Sequence, residues 1–99
     1  MSTSLPEAVL VTIICETVLQ DRLVRLLKTL DVSGYTVVQA QGAGRHGSRM
    51  GDIAGFKTNI ELKTVVSPEV SDKLLSELQQ YQATHALIAF RQPVEALID

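Results

Sequence analysis

The sequence predicts an α+β domain with the element order β-α-β-β-α-β. Three observations carry this. A β-branched apolar run, AVLVTIIC (8–15), opens the ordered part of the chain, and another, ALIAFR (86–91), lies near its end. Two segments between them space their leucines at helical intervals. Two alternating segments, YTVVQAQ (35–41) and FKTNIELKTVV (56–66), sit between the helices. Ninety-nine residues with 45% apolar content suit one domain, residues 1–99, with a core of its own.

Taken in order, residues 1–6 (MSTSLP) read as a polar lead-in. Residues 8–15 are short and β-branched, as befits a central strand covered on both sides. Thr17 and Gln20 have capping-box spacing for a first helix. Leu19, Leu23, Leu26, Leu27 and Leu30 fall on one face of that helix, with Gln20, Asp21, Arg25 and Lys28 on the other. The helix is expected to end near Asp31, with Gly34 supplying the unusual backbone angles of the turn.

In the third strand, Phe56, Thr58, Ile60, Leu62 and Thr64 alternate with Lys57, Asn59, Glu61 and Lys63. That is a half-buried antiparallel strand. Ser67-Pro68-Glu69 starts the second helix: a side-chain cap, a proline where no N–H is needed, and an acid near the positive end of the dipole. Val70, Leu74, Leu75, Leu78 and Tyr81 form its apolar stripe. Two right-handed crossovers over a four-stranded antiparallel sheet give the ferredoxin-like arrangement, with both helices on one face. The opposite face is left bare, and a second copy of the domain is its simplest cover.

Composition removes several functions. There is no Trp and only two Tyr and two Phe, so a base-stacking platform for RNA is hard to assemble. A net charge of −2 does not favour nucleic acid as a partner. Cys15 is the only cysteine, which excludes paired-cysteine metal sites and fits a buried core thiol. No apolar run reaches membrane-spanning length and no charged leader opens the chain, so a cytoplasmic protein without membrane insertion is expected.

Residues 39–56, QAQGAGRHGSRMGDIAGF, break the pattern. They hold five of the six glycines together with Arg45, His46, Arg49 and a single acid, Asp52. Glycines let backbone N–H groups converge on an anion, and arginine forks bind phosphate oxygens in pairs. Gly42, Gly44 and Gly47 spell GxGxxG, but the motif follows a strand and opens no helix, so it is not a dinucleotide fingerprint. The segment reads either as a hairpin tip or as a loop that closes over phosphate. Lys63 and Arg91 are further cations, on the third and last strands. His46 is a solvated loop residue, a donor to phosphate or a pH sensor, His85 a structural histidine, and Glu16 either a surface acid or the partner of a neighbouring subunit's cation. With Asp52 the sole acid of the loop, metal-assisted hydrolysis has no acid pair to support it, so neither an enzyme nor a metal site is expected.

Strand one ending at Glu16, GYTV (Gly34–Val37), the glycine-rich stretch ending GSR (Gly47–Arg49), Asn59-Ile60 and Ala86-Leu87-Ile88 occur in an order that resembles the PII-like signalling proteins. The likeness is closest to the inorganic-carbon branch: carboxysome-associated PII proteins and SbtB-type regulators of bicarbonate transporters. The resemblance implies a homotrimer with sheets facing inward and adenine nucleotides in the clefts between subunits. It makes residues 42–56 the T-loop, which touches partner proteins, here a bicarbonate transporter or a carboxysome component. It places Gly34, Tyr35 and Thr36 at the nucleotide, Thr36 at the base, and Gly42, Gly44, Gly47, Ser48 and Arg49 at the phosphates. Arg45 has no secure counterpart, because Arg45-His46-Gly47 is slightly longer than the family's spacing, and its role rests on charge alone; in the same match Lys63 and Arg91 could reach the phosphates from the third and last strands.

Two departures narrow the expectation. The loop has no Tyr, so a uridylylation-type mark is not expected, and no second cysteine supports redox control. The carboxysome-associated branch is therefore preferred, with ADP or AMP as ligand and bicarbonate as a candidate second one. The alternatives are an SbtB-type regulator sensing cyclic AMP or AMP, and a trimeric interaction module without ligand.

Overall fold

The computed structural model describes residues 5–32, 34–40 and 58–98. The elements are β1 (Glu7–Glu16), a 3-10 turn (Thr17–Leu19), α1 (Gln20–Thr29), β2 (Thr36–Ala40), β3 (Asn59–Val66), α2 (Pro68–Gln82) and β4 (Leu87–Glu95). One sheet has the order β2-β3-β1-β4, and all its pairings are antiparallel. This is the ferredoxin-like fold predicted above.

The register explains the two faces. Val11 lies opposite Thr64 on β3 and Arg91 on β4; Thr12, one residue on, lies opposite Lys63 and Phe90. Because strand side chains alternate, these two rows point to opposite faces. The Val11 row, with Ile13, Cys15, Ile60 and Leu62, packs against Leu23 and Leu27 of α1 and Leu74 and Leu78 of α2. Each fully buried leucine contributes about 1.5–3 kcal/mol of transfer free energy. The Thr12 row belongs to the other face, where Val38, Ile88 and Phe90 are 47%, 58% and 46% exposed. The face without helices expected from the sequence is present, and it carries these apolar side chains alongside Glu61 and Lys63.

The start of α2 is as predicted: Ser67 Oγ accepts from the Val70 N–H at 3.2 Å, with Pro68 at the first helical position. The start of α1 is not. Thr17 forms no capping box, because residues 17–19 turn as a 3-10 segment and α1 begins only at Gln20 without a side-chain cap. The Thr17 N–H is committed to the Thr58 carbonyl at 3.0 Å instead. Strand β4 runs on past the apolar run, through Pro93 to Glu95. An edge strand tolerates proline, since one side of its backbone has no ladder to lose.

The end of α1 also corrects the expectation for Gly34. Asp31, not Gly34, adopts the left-handed conformation, at φ 63°. The Val32 N–H reaches the Leu27 carbonyl at 2.8 Å and the Asp31 N–H reaches that of Lys28 at 3.0 Å, the two bonds of a Schellman motif. Val32 packs on the core that contains Leu27, the apolar contact that accompanies the motif.

Asp31 carries two penalties: a side chain in the left-handed region and a negative charge at the negative end of a helix. Asp31→Gly is therefore expected to raise stability by about 0.5–1 kcal/mol. Urea unfolding should show a higher midpoint at an unchanged slope.

Candidate functional site

Strand β2 begins at Thr36, opposite Lys63, while β3 continues through Thr64, Val65 and Val66. Past Lys63, the β3 edge is therefore not paired with β2. The chain entering β2 passes beside this edge, where the Thr64 hydroxyl donates to the Gly34 carbonyl at 2.6 Å. A cavity of about 580 Å³ opens here, bounded by Asp31, Gly34, Tyr35, Thr36, Lys63 and Ser67, with Leu97 and Ile98 from the end of the chain. Its size lies within the range of small-molecule sites.

The structure thus brings Gly34, Tyr35, Thr36 and Lys63 together. Gly34 meets nothing where a side chain would start, so no packing demand of the described residues requires glycine there. Lys63 is the one cation of the described lining and Asp31 the one anion. An anionic ligand would therefore need further positive charge from elsewhere.

Arg91 is not brought to this cavity. In the register it shares the helix-facing row with Val11. Its guanidinium donates to Ser71 Oγ at 2.8 Å and pairs with Asp72 at 2.5 Å, both on α2. Lys63 lies on the other face of the sheet. Ser71 escaped the sequence reading because a serine at an apolar-stripe position looks like solvent-facing filler. Here it is fully buried, donating to the Pro68 carbonyl and accepting from Arg91.

Gly42, Gly44, Arg45, Gly47, Ser48 and Arg49 lie outside the described residues, as do His46 and Asp52. The flanks of that segment are Ala40 and Asn59, paired at the far end of the β2–β3 ladder from Thr36. The four-residue step from Thr36 to Ala40 covers about 13 Å at strand rise.

Other candidates make contacts within the described residues. Glu16 Oε2 accepts from the Ala86 N–H at 2.6 Å, tying the end of β1 to the approach to β4. His85 Nδ1 lies 2.8 Å from Thr84 Oγ1, and the His85 backbone N–H donates to the Tyr81 carbonyl at 2.9 Å. Cys15 is 1% exposed, and burial, with a smaller contribution from the Glu16 charge, pushes its thiol up to about 11. Among the described residues no three of His, Cys, Asp and Glu converge as a metal site would require, and no helix is long and apolar enough to cross a membrane.

Residues 8–98 match the family model described as nitrogen regulatory protein P-II. A PII-like signaling protein of Thermus thermophilus is 40% identical, with TM-score 0.78 over 96% of this chain and 94% of that one. CPII, a nitrogen regulatory PII-like protein of Thiomonas intermedia, is 24% identical in its complex with ADP, AMP and bicarbonate, with TM-score 0.81 over 95% and 99%. A DUF3240 family protein of Shewanella baltica shares the fold at 20% identity and TM-score 0.71, over 100% and 98%. No curated protein sequence matches.

The Cys15 thiol has a measurable alkaline signature. Below pH 9.0 it is protonated whether the chain is folded or not, and its contribution is fully present. Between 9.0 and about 11 the unfolded chain releases the proton and the folded one does not, so stability falls. Two pH units correspond to about 2–3 kcal/mol. Unfolding curves at pH 9 and pH 11 should show a loss smaller by about that amount in Cys15→Ala, and a thiol reagent at pH 8 should label the unfolded but not the native protein.

Proposed function

The chain belongs to the nitrogen regulatory protein P-II family, and from that premise we propose that it is a non-enzymatic signalling protein that binds an adenine nucleotide, ADP or AMP. The observation that carries the reading is the cavity at the start of β2, where Gly34, Tyr35 and Thr36 face Lys63 beside an open strand edge. The complexes of CPII with ADP, AMP and bicarbonate support the same ligand class and make bicarbonate the candidate second ligand.

The base sits at Thr36 and the nucleotide lies along β2. Its phosphates then point toward the far end of the ladder, from which residues 42–56 continue. Lys63 alone, offset by Asp31, does not balance a diphosphate. The remaining charge comes from Arg49 and Arg45, with the glycine N–H groups of Gly42, Gly44 and Gly47 and the Ser48 hydroxyl completing the anion site. Nucleotides that differ in phosphate number differ in the contacts they offer these arginines. A ligand shifts a conformational equilibrium only by its differential affinity for the two states, so phosphate number becomes the signal. The readout is the T-loop, 42–56, and its target a component of inorganic-carbon uptake or of the carboxysome.

The assembly is a homotrimer whose inward faces bury Val38, Ile88 and Phe90. This puts the edge of β2 at a junction between subunits, where the nucleotide binds. The chain performs no chemistry on its ligand.

Calorimetric titration with AMP, ADP, ATP and cyclic AMP, with and without bicarbonate, tests the reading. The expected result is saturable binding near one nucleotide per chain, weakened about tenfold in Lys63→Ala and further in Arg49→Ala, each lost charged contact costing about 1.5–3 kcal/mol. Binding of cyclic AMP in preference to ADP would move the assignment to the transporter regulators. No binding to any of the four would leave a trimeric interaction module without ligand.

A further inference from the structure

We infer that Thr64 is a positioning residue for this site: its hydroxyl fixes the Gly34 carbonyl and so sets Gly34, Tyr35 and Thr36 against Lys63. The inference rests on the nucleotide reading for its effect on affinity, but its geometric content stands apart from it. Thr64 occupies the helix-facing row of β3, whose other members, Ile60, Leu62 and Val66, are apolar, and it is 3% exposed. A hydroxyl buried in such a row is unfavourable unless it is hydrogen-bonded. Its proton goes to the carbonyl of a residue 30 positions away, at 2.6 Å. Gly34 precedes the β2 ladder, which begins at Thr36, and it has open space where a side chain would pack. Gly34 has no side chain of its own to hold its backbone in place; the Thr64 bond ties it to β3.

The sequence offers a reason for threonine over an aliphatic residue. Valine has the same shape and would pack as well among Ile60, Leu62 and Val66, but it has nothing to donate to Gly34. Register places Thr64 next to Lys63, so one residue of β3 anchors the segment from the core side while its neighbour meets the same segment on the open side.

Three variants separate positioning from packing. Thr64→Val keeps the shape and removes the donor, Thr64→Ser keeps the donor and removes the methyl, and Ile13→Val perturbs the core away from the cavity. Amide hydrogen exchange at Tyr35 and Thr36, urea unfolding and ADP titration are measured for each. In Thr64→Val, exchange at Tyr35 and Thr36 should accelerate at least tenfold relative to the rest of the sheet, and the ADP dissociation constant should rise about tenfold, the equivalent of one lost hydrogen bond. Thr64→Ser should restore both, and Ile13→Val should lower stability without moving either. Unchanged exchange at Tyr35 and Thr36 in Thr64→Val overturns the inference, as does an equal rise in dissociation constant in Ile13→Val. Should the unaltered protein bind no adenine nucleotide, the ligand reading fails while the exchange comparison still decides the role of Thr64.

Discussion

Strand β1 is hydrogen-bonded along both sides, to β3 from Val9 to Glu16 and to β4 from Glu7 to Cys15, and everything else in the molecule depends on that double register. A slip of one residue on either side would exchange the two faces of a neighbouring strand. Thr64 would leave the core row and Lys63 would enter it, placing a charge against Leu23 and Leu74. The cost of an unpaired buried charge excludes that arrangement. The register that closes the core is therefore the same one that delivers Lys63 and Thr36 to one side of the cavity and Thr64 to its other side.

The two faces of the sheet are used differently. The helix-facing row is closed, and its few polar groups are bonded within it: Ser71 to Pro68 and Arg91, and Thr64 to Gly34. The Arg91–Asp72 pair at its margin is largely exposed, at 44% and 69% for the two side chains, so it fixes geometry more than it adds stability. The other face leaves Val38, Ile88 and Phe90 exposed in the single chain. Both helices pack on the Val11 side of the sheet, so neither covers the other face.

The cavity follows from unequal strand lengths. β3 has eight residues and β2 five, so part of β3 has no β2 partner, and the segment that leaves the Schellman turn of α1 must pass beside it. Asp31, at the turn, and Gly34, just after it, consequently line the space that Lys63 faces. Helix termination, strand mismatch and cavity are thus consecutive consequences of one stretch of chain, residues 31–36.

The sequence by itself determined the elements whose signals are local. The β-branched run of β1, the alternation through Ile60, Leu62 and Thr64, and the Ser67-Pro68 start of α2 each depend on neighbours within a few residues, and each was legible together with the ferredoxin-like order. The pairing of Gly34, Tyr35 and Thr36 with Lys63 was legible only in part, through residue types and family likeness. Tertiary structure decided the rest. It diverted the Thr17 N–H to Thr58, moved the left-handed residue from Gly34 to Asp31, extended β4 through Pro93 along a free edge, and turned Arg91 toward α2. Each of these depends on a partner distant in sequence or on which side of a strand faces solvent, and neither is written in the spacing of a single segment.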